Sequence, residues 1–171
     1  MTISNHSKNK GFTLIETLVA IAILLTAVVG PISLIGDAMH KMYYAKDEMI
    51  AINLAQEGIE VVRAKRDSNM LNGGVPWDDE ITGGDYIVDS SSVPPTVTAG
   101  AYSGVKQPVY LDNGFYKQGS FVEATQFTRL VTITSVVAGK ESKVTSTVEW
   151  KTGGQAGTIT VTENLFRWAI L

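Results

Sequence analysis

The sequence predicts an α+β fold, in which one long N-terminal helix is followed by an antiparallel β-meander. Three observations predict it. The run from Phe12 to Ile35 is almost wholly apolar, and apolar residues continue at helical spacing as far as Val62. From Gly73 onward the composition changes to Gly, Ser, Thr, Asp and Pro, with short runs of alternating polarity. With 171 residues, 44% of them hydrophobic, the chain can form one domain with an appendage.

The first half of the helix is expected to cross a membrane once. Twenty uncharged residues run from Thr17 to Gly36, and at about 1.5 Å per residue they measure roughly 30 Å, the thickness of the hydrocarbon layer. Lys8 and Lys10 precede this run, and a positive flank stays in the cytoplasm. We therefore predict a single-pass protein of the cytoplasmic (inner) membrane, with the residues after about Gly36 outside.

One acidic residue, Glu16, lies at the start of this apolar stretch. An ionised carboxylate inside a spanning helix costs about 2.5 to 3.5 kcal/mol on insertion scales. Such a charge is retained where a partner charge compensates it. We therefore expect Glu16 to have a function rather than to be a stray charge.

The residues from Lys10 to Glu16 read Lys-Gly-Phe-Thr-Leu-Ile-Glu and follow a short basic leader. This segment closely resembles the type IV prepilin signature; the resemblance is tight from Lys10 to about Ile35 and continues more loosely to about Asn69. It implies that Gly11 is the last leader residue and Phe12 the first mature one. A membrane-embedded prepilin peptidase would cut between them and, in many systems, methylate the new amino terminus of Phe12. Glu16 of one subunit would then face the free amino terminus of a neighbouring subunit and set the register between them.

The resemblance implies a structural subunit of a type IV pilus or a type II secretion pseudopilus, assembled through its N-terminal helix into an extracellular or periplasmic filament. The implied partners are the prepilin peptidase, other pilin or pseudopilin subunits, a membrane assembly platform and the lipid bilayer. The implied division of the chain is a leader peptide at 1–11, a transmembrane and assembly helix at 12–36, the second half of the helix at 37–70 and a pilin-like β-domain at 71–171.

A second interpretation is a membrane-anchored or secreted β-domain binding protein with an ordinary signal or anchor helix. The sequence Gly36-Asp37-Ala38 faintly resembles a small-x-small cleavage site, but the helical pattern runs straight through it. The two interpretations differ in the amino terminus of the exported protein. The first requires Phe12, and the second requires Met39 or Met1.

The helix is predicted to run from about Phe12 to Asp67, with an interruption at Gly30-Pro31. A proline removes one backbone hydrogen bond and costs about 3 kcal/mol in a helix interior. We expect a kink or a locally melted segment, which is either a tolerated transmembrane proline or a functional hinge. Pilins that the chain resembles have a proline in a similar region that lets the helix extend in the filament. The predicted apolar stripe of the helix comprises Ile35, Met39, Met42, Tyr43, Met49, Ile50, Leu54, Ile59 and Val62.

Six strands are predicted after the helix. They are Tyr86 to Asp89, Val109 to Asp112, Phe115 to Lys117, Phe127 to Val137, Lys143 to Trp150 and Thr158 to Glu163. The last three form a meander whose apolar face should be covered by the second half of the helix. The alternation is clearest in the fifth strand, where Val144, Ser146, Val148 and Trp150 should share the buried face. The segment from Ser90 to Gly104 is expected to be a loop, because Pro94-Pro95 excludes a central strand.

Composition excludes several function classes. There is no cysteine, which excludes disulfides, thiol catalysis and cysteine metal sites. Loss of the leader removes two of the 14 basic residues and none of the 17 acidic ones, leaving 12 and 17. No basic patch indicates nucleic acid. His6 lies in the leader and His40 on the helix, so no Ser/His/Asp arrangement is visible. We expect no enzyme and no cofactor.

Several other side chains have an ordinary explanation. An acidic loop, formed by Asp78, Asp79, Glu80, Asp85 and Asp89, lacks EF-hand spacing and is expected to be solvated rather than a calcium site. Glu57 and Glu60 are expected to be solvated charges on an amphipathic helix. The three tryptophans, Trp77, Trp150 and Trp168, are expected to be core or rim aromatics rather than a sugar-binding platform.

Overall fold

We describe a computed structural model of residues 11–100, 102–119 and 123–168. One helix, α1, spans Leu14–Asn72, and an antiparallel sheet follows, which confirms the predicted α+β class. In chain order the strands are β1 (Gly84–Asp89), β2 (Thr96–Ala99), β3 (Gln107–Asp112), β4 (Phe115–Gln118), β5 (Ala124–Val137), β6 (Glu141–Thr152) and β7 (Gln155–Phe166). The chain divides into two compact units, Met1–Met42 and Tyr43–Leu171.

The first unit contains the apolar part of α1. The helix is long and apolar enough to cross a membrane. Every residue from 11 to 42 is exposed, so no described residue of this unit covers its Leu, Ile and Val side chains. An apolar surface of this size must be covered by lipid or by other molecules.

Helical structure continues through Gly30 and Pro31, so this segment is not locally melted. The hydroxyl of Ser33 donates to the carbonyl of Gly30 at 2.8 Å. A hinge at Gly30-Pro31 stays a prediction.

The second unit is built around β5, which pairs with β6 along one edge and with β3 and β1 along the other. β2 adds to β1, β4 to β3, and β7 to β6. All six predicted strands and the final meander are confirmed. The predicted loop from Ser90 to Gly104 is wrong at Thr96–Ala99, because this short segment forms β2. β2 follows the two prolines and lies at the edge of the sheet. The prolines therefore excluded a central strand, as predicted, but not an edge strand.

The predicted inner face of β6 is confirmed, since Val144, Ser146, Val148 and Trp150 are all buried. Of the predicted stripe on α1, the side chains of Leu54, Ile59 and Val62 are buried in the core. Met49 is 66% exposed, and Tyr43 is exposed as well, so the stripe was wrong at these two positions. Ile50 is partly buried, while Ile35, Met39 and Met42 are exposed in the first unit.

The stripe was wrong because small residues form much of the face of α1 that is buried in the second unit. Ala51, Ala55 and Gly58 are buried one turn apart. A Cβ atom on Gly58 would lie 2.5 Å from the Oγ atom of Ser146 and 3.1 Å from Cγ2 of Val131. Glycine at position 58 therefore allows the backbone of α1 to approach β5 and β6 closely.

A buried arginine corrects the prediction for Glu57. Arg129 of β5 has no exposed surface, and its Nη1 atom donates to Glu57 at 3.0 Å. Glu57 is therefore one partner of a buried cation rather than a solvated charge. Glu60 is exposed as predicted and pairs with Arg63, which also pairs with Glu163 of β7. The hydrogen bond with Glu163 raises the pKa of Arg63.

Candidate functional site

The candidate site is the start of α1, where Thr13 and Glu16 form a capping box. The Oγ1 atom of Thr13 accepts from the backbone N–H of Glu16 at 3.3 Å. In return, the backbone N–H and the hydroxyl of Thr13 both donate to Oε2 of Glu16, each at 3.3 Å. Two backbone N–H groups that the helix leaves unpaired are thereby satisfied. The signal for this box, Thr13-x-x-Glu16 before an apolar run, was present in the sequence but was missed.

Only one carboxylate oxygen of Glu16 is used in this box. Within the described residues, Oε1 of Glu16 accepts no hydrogen bond, and no cation pairs with the carboxylate. The side chain lies on an exposed helix in the first unit. It can therefore accept hydrogen bonds from a donor outside the chain while it still caps its own helix.

Gly11 and Phe12 precede the helix and are accessible. Phe12 is 84% exposed, and among the described residues, apart from its chain neighbours, no atom lies within 4 Å of the place where a Cβ atom on Gly11 would stand. Thr13 is the last residue before the first helical position, so the bond between Gly11 and Phe12 lies in non-helical backbone. Gly11 and Phe12 thus lie just before the first turn of α1, which contains Glu16. Cleavage, methylation and assembly at these residues stay predictions.

Three of the five acidic residues of the predicted solvated loop have partners within the chain. The two carboxylate oxygens of Asp85 accept from the hydroxyl of Thr132 at 2.7 Å and from the N–H of Gly104 at 2.6 Å. Asp89 accepts from the N–H and the hydroxyl of Ser91. Glu80 pairs with Lys65 of α1. In the parts of the chain that the structure describes, no three carboxylate or imidazole groups come together as a metal site.

The tryptophans and His40 differ in how far they are buried. Trp77 and Trp150 are buried in the core of the second unit, as predicted, whereas Trp168 is 41% exposed beside a cavity. His40 is exposed on α1 in the first unit.

The profile of the prokaryotic N-terminal methylation motif matches residues 6–30. This match confirms that the chain carries the signature of type IV pilins and pseudopilins, and it covers the candidate cleavage site, Glu16 and the first half of the apolar helix. The signature indicates a structural, pilin-type precursor. Comparisons with curated proteins and with solved structures gave no match.

Proposed function

We propose that this chain is a prepilin or pseudopilin, a structural subunit that prepilin peptidase cuts after Gly11 and methylates at Phe12. The mature subunit then assembles through its N-terminal helix into a type IV pilus or a type II secretion pseudopilus. Before assembly it resides in the cytoplasmic membrane with its β-domain outside. An assembly platform in the same membrane moves it into the filament.

One coincidence supports this proposal most strongly. The methylation motif at residues 6–30 covers the start of a helix whose apolar side chains are exposed in the described part of their own unit. A soluble protein rarely leaves such a large apolar surface exposed. Lipid covers this surface while the subunit waits, and the helices of neighbouring subunits cover it in the filament.

Glu16 directs the assembly in this proposal. Its Oε2 atom caps α1, and its Oε1 atom has no partner among the described residues. After cleavage, the ammonium group of Phe12 is a new cation at the membrane surface. In an apolar environment, two opposite charges in contact neutralise each other, whereas either charge buried without the other raises the free energy. We infer that Oε1 of Glu16 accepts from the amino terminus of a neighbouring subunit.

The test replaces Glu16 in a strain that assembles the filament. Glu16→Leu should still insert and still be cut after Gly11, because the leader and the apolar run are intact. It should be incorporated poorly, since the neighbour's amino terminus is left without a counter-charge. Glu16→Gln should be intermediate, because it retains hydrogen bonding and loses the charge. Glu48→Gln, an exposed change on the same helix beyond the lipid, is the matched control and should assemble normally.

An ordinary anchor helix would behave differently. Removing the charge would favour insertion by about 2.5 to 3.5 kcal/mol and would have no other consequence. Wild-type incorporation of the Glu16→Leu variant would therefore contradict the pairing. It would favour the membrane-anchored β-domain instead.

A further inference from the structure

A cavity of about 850 Å³ opens in the second unit at the end where α1 stops. Its walls come from three separate segments, namely the end of α1 with the residues that follow it, the β5–β6 turn, and the end of β7 with the two residues after it. The part of α1 in the second unit runs from Tyr43 to Asn72, which is about 45 Å at 1.5 Å per residue. The cavity is thus far from the point where the chain enters this unit.

Hydrogen bonds hold the three walls in place. Asn69 is buried, and its Nδ2 atom donates to the carbonyls of Trp77 and Asp79 at 3.3 and 2.7 Å. The indole Nε1 of Trp77 donates to the carbonyl of Gly139 at 3.1 Å. The N–H of Arg167 donates to the carbonyl of Lys140 at 2.9 Å. The cavity is therefore formed before any ligand arrives, which lowers the entropic cost of binding.

The lining combines cations with accessible aromatic rings. Lys140 and Arg167 both line the cavity, and neither forms an ion pair with a carboxylate in the described residues. Phe166 and Trp168 are 53% and 41% exposed beside them. Asp78 adds one carboxylate acceptor. In a chain with net charge −3, two cations without acidic partners in one concave place favour an anionic ligand.

We propose that this cavity binds a carboxylated saccharide. Lys140 and Arg167 would contact the sugar's carboxylate, Asp78 would accept from its hydroxyl groups, and the rings of Phe166 and Trp168 would contact the apolar faces of the sugar rings. This inference does not depend on the proposed filament. It revises the sequence-based expectation for Trp168 alone, because Trp77 and Trp150 are core residues.

Two other anionic ligands fit less well. An extended peptide is normally recognised through backbone groups, yet the wall carbonyls of Trp77, Gly139 and Lys140 already accept hydrogen bonds from within the protein. Single-stranded nucleic acid prefers a positively charged groove that follows many phosphates, whereas this cavity has two cations and also contains Asp78.

The experiment measures binding of tetragalacturonate to the full chain in detergent micelles by isothermal titration calorimetry. Maltotetraose, a neutral saccharide of the same length, is the ligand control. The double variant Lys140→Gln/Arg167→Gln should lose detectable binding, and Trp168→Ala should weaken it about fivefold. Two exposed changes elsewhere in the second unit, Lys143→Gln and Phe115→Ala, should bind as the wild type does.

The outcomes separate the alternatives. Binding of tetragalacturonate that is lost in the double variant and retained in both controls would support the proposal. No binding, or equal binding of maltotetraose, would overturn it. Tighter binding of oligothymidylate or of an acidic peptide in the same assay would also overturn it, because the cavity would then serve another class of ligand. Circular dichroism of each variant checks that a lost signal does not come from unfolding.

Discussion

The guanidinium of Arg129 lies 3.0 Å from the carboxylate of Glu57, and this ion pair joins the middle of β5 to α1. The same guanidinium donates to the carbonyls of Leu54 and Val88 at 2.9 Å and to the side chain of Gln118 at 2.8 Å. Burial lowers the pKa of Arg129, and the charge of Glu57 opposes that shift. One side chain therefore links the helix to three strands in a chain without disulfides.

Replacing this arginine should destabilise the second unit. Arg129→Ala leaves Glu57 without its cation and removes one donor from each of the two carbonyls, so we expect a loss of about 3 to 5 kcal/mol in the free energy of unfolding. Denaturation of a fragment that begins at Asp37 measures it, since the described core lies wholly after Tyr43. Lys151→Ala, an exposed change, is the control. An unchanged midpoint for Arg129→Ala would show that the network contributes no stability.

Because Gly58 and Ser146 lie against each other, the effects of replacing them on the free energy of unfolding should be coupled. Gly58→Ala should destabilise the fragment by about 1 to 3 kcal/mol, because the new Cβ atom would lie 2.5 Å from Oγ of Ser146. Ser146→Ala should be neutral or slightly stabilising, since this buried hydroxyl has no hydrogen-bond partner among the described residues. The double variant should recover part of the loss. Simple additivity in the double-mutant cycle would exclude a direct contact.

Trp150 should contribute more to stability than an exposed aromatic residue does, because its side chain is buried. Its ring packs on Gly157, the residue opposite it on β7, and its centroid lies 5.8 Å from that of Tyr44. Trp150→Ala should therefore cost about 3 to 5 kcal/mol. Phe115→Ala is the exposed aromatic control and should change the denaturation midpoint little. Similar midpoints for both variants would mean that the faces of β6 were assigned backwards.

Processing should depend on the small residue before the cut. A peptidase that holds the backbone closely leaves no room for a Cβ atom, so Gly11→Leu should leave the uncut precursor in the membrane. The matched control is Gly36→Leu, which changes a glycine at the far end of the apolar run and should be cut normally. Normal maturation of Gly11→Leu would refute the assigned cleavage site.

The sequence was sufficient to predict the parts of the fold in which buried and exposed residues alternate regularly. The alternation of Val144, Ser146, Val148 and Trp150 determined which face of β6 is buried, and six strands were found where short alternating runs occur. β2 was missed because its four residues follow two prolines and pair, among the described strands, with β1 alone. Such a strand depends on its neighbour rather than on its own sequence.

The contacts of α1 were harder to predict for a physical reason. A hydrophobic stripe is recognised by its large residues, whereas the close approach at Gly58 depends on the absence of a side chain. The partner of Glu57 lies 72 residues away along the chain, and nothing near Glu57 indicates it. At the amino terminus, the motif indicated Gly11, Phe12 and Glu16, and their roles stay predictions. The capping role of Glu16 could also have been read from Thr13 three residues earlier.

We propose that this chain becomes a filament subunit by losing its leader. The mass and sequence of the mature amino terminus test this directly. Intact-mass and amino-terminal analysis of the protein recovered from membranes and from sheared filaments should give Phe12 as the first residue, carrying one added methyl group where the peptidase methylates. A mature protein that begins at Met39 or at Met1 would contradict the account and favour an ordinary signal or anchor helix.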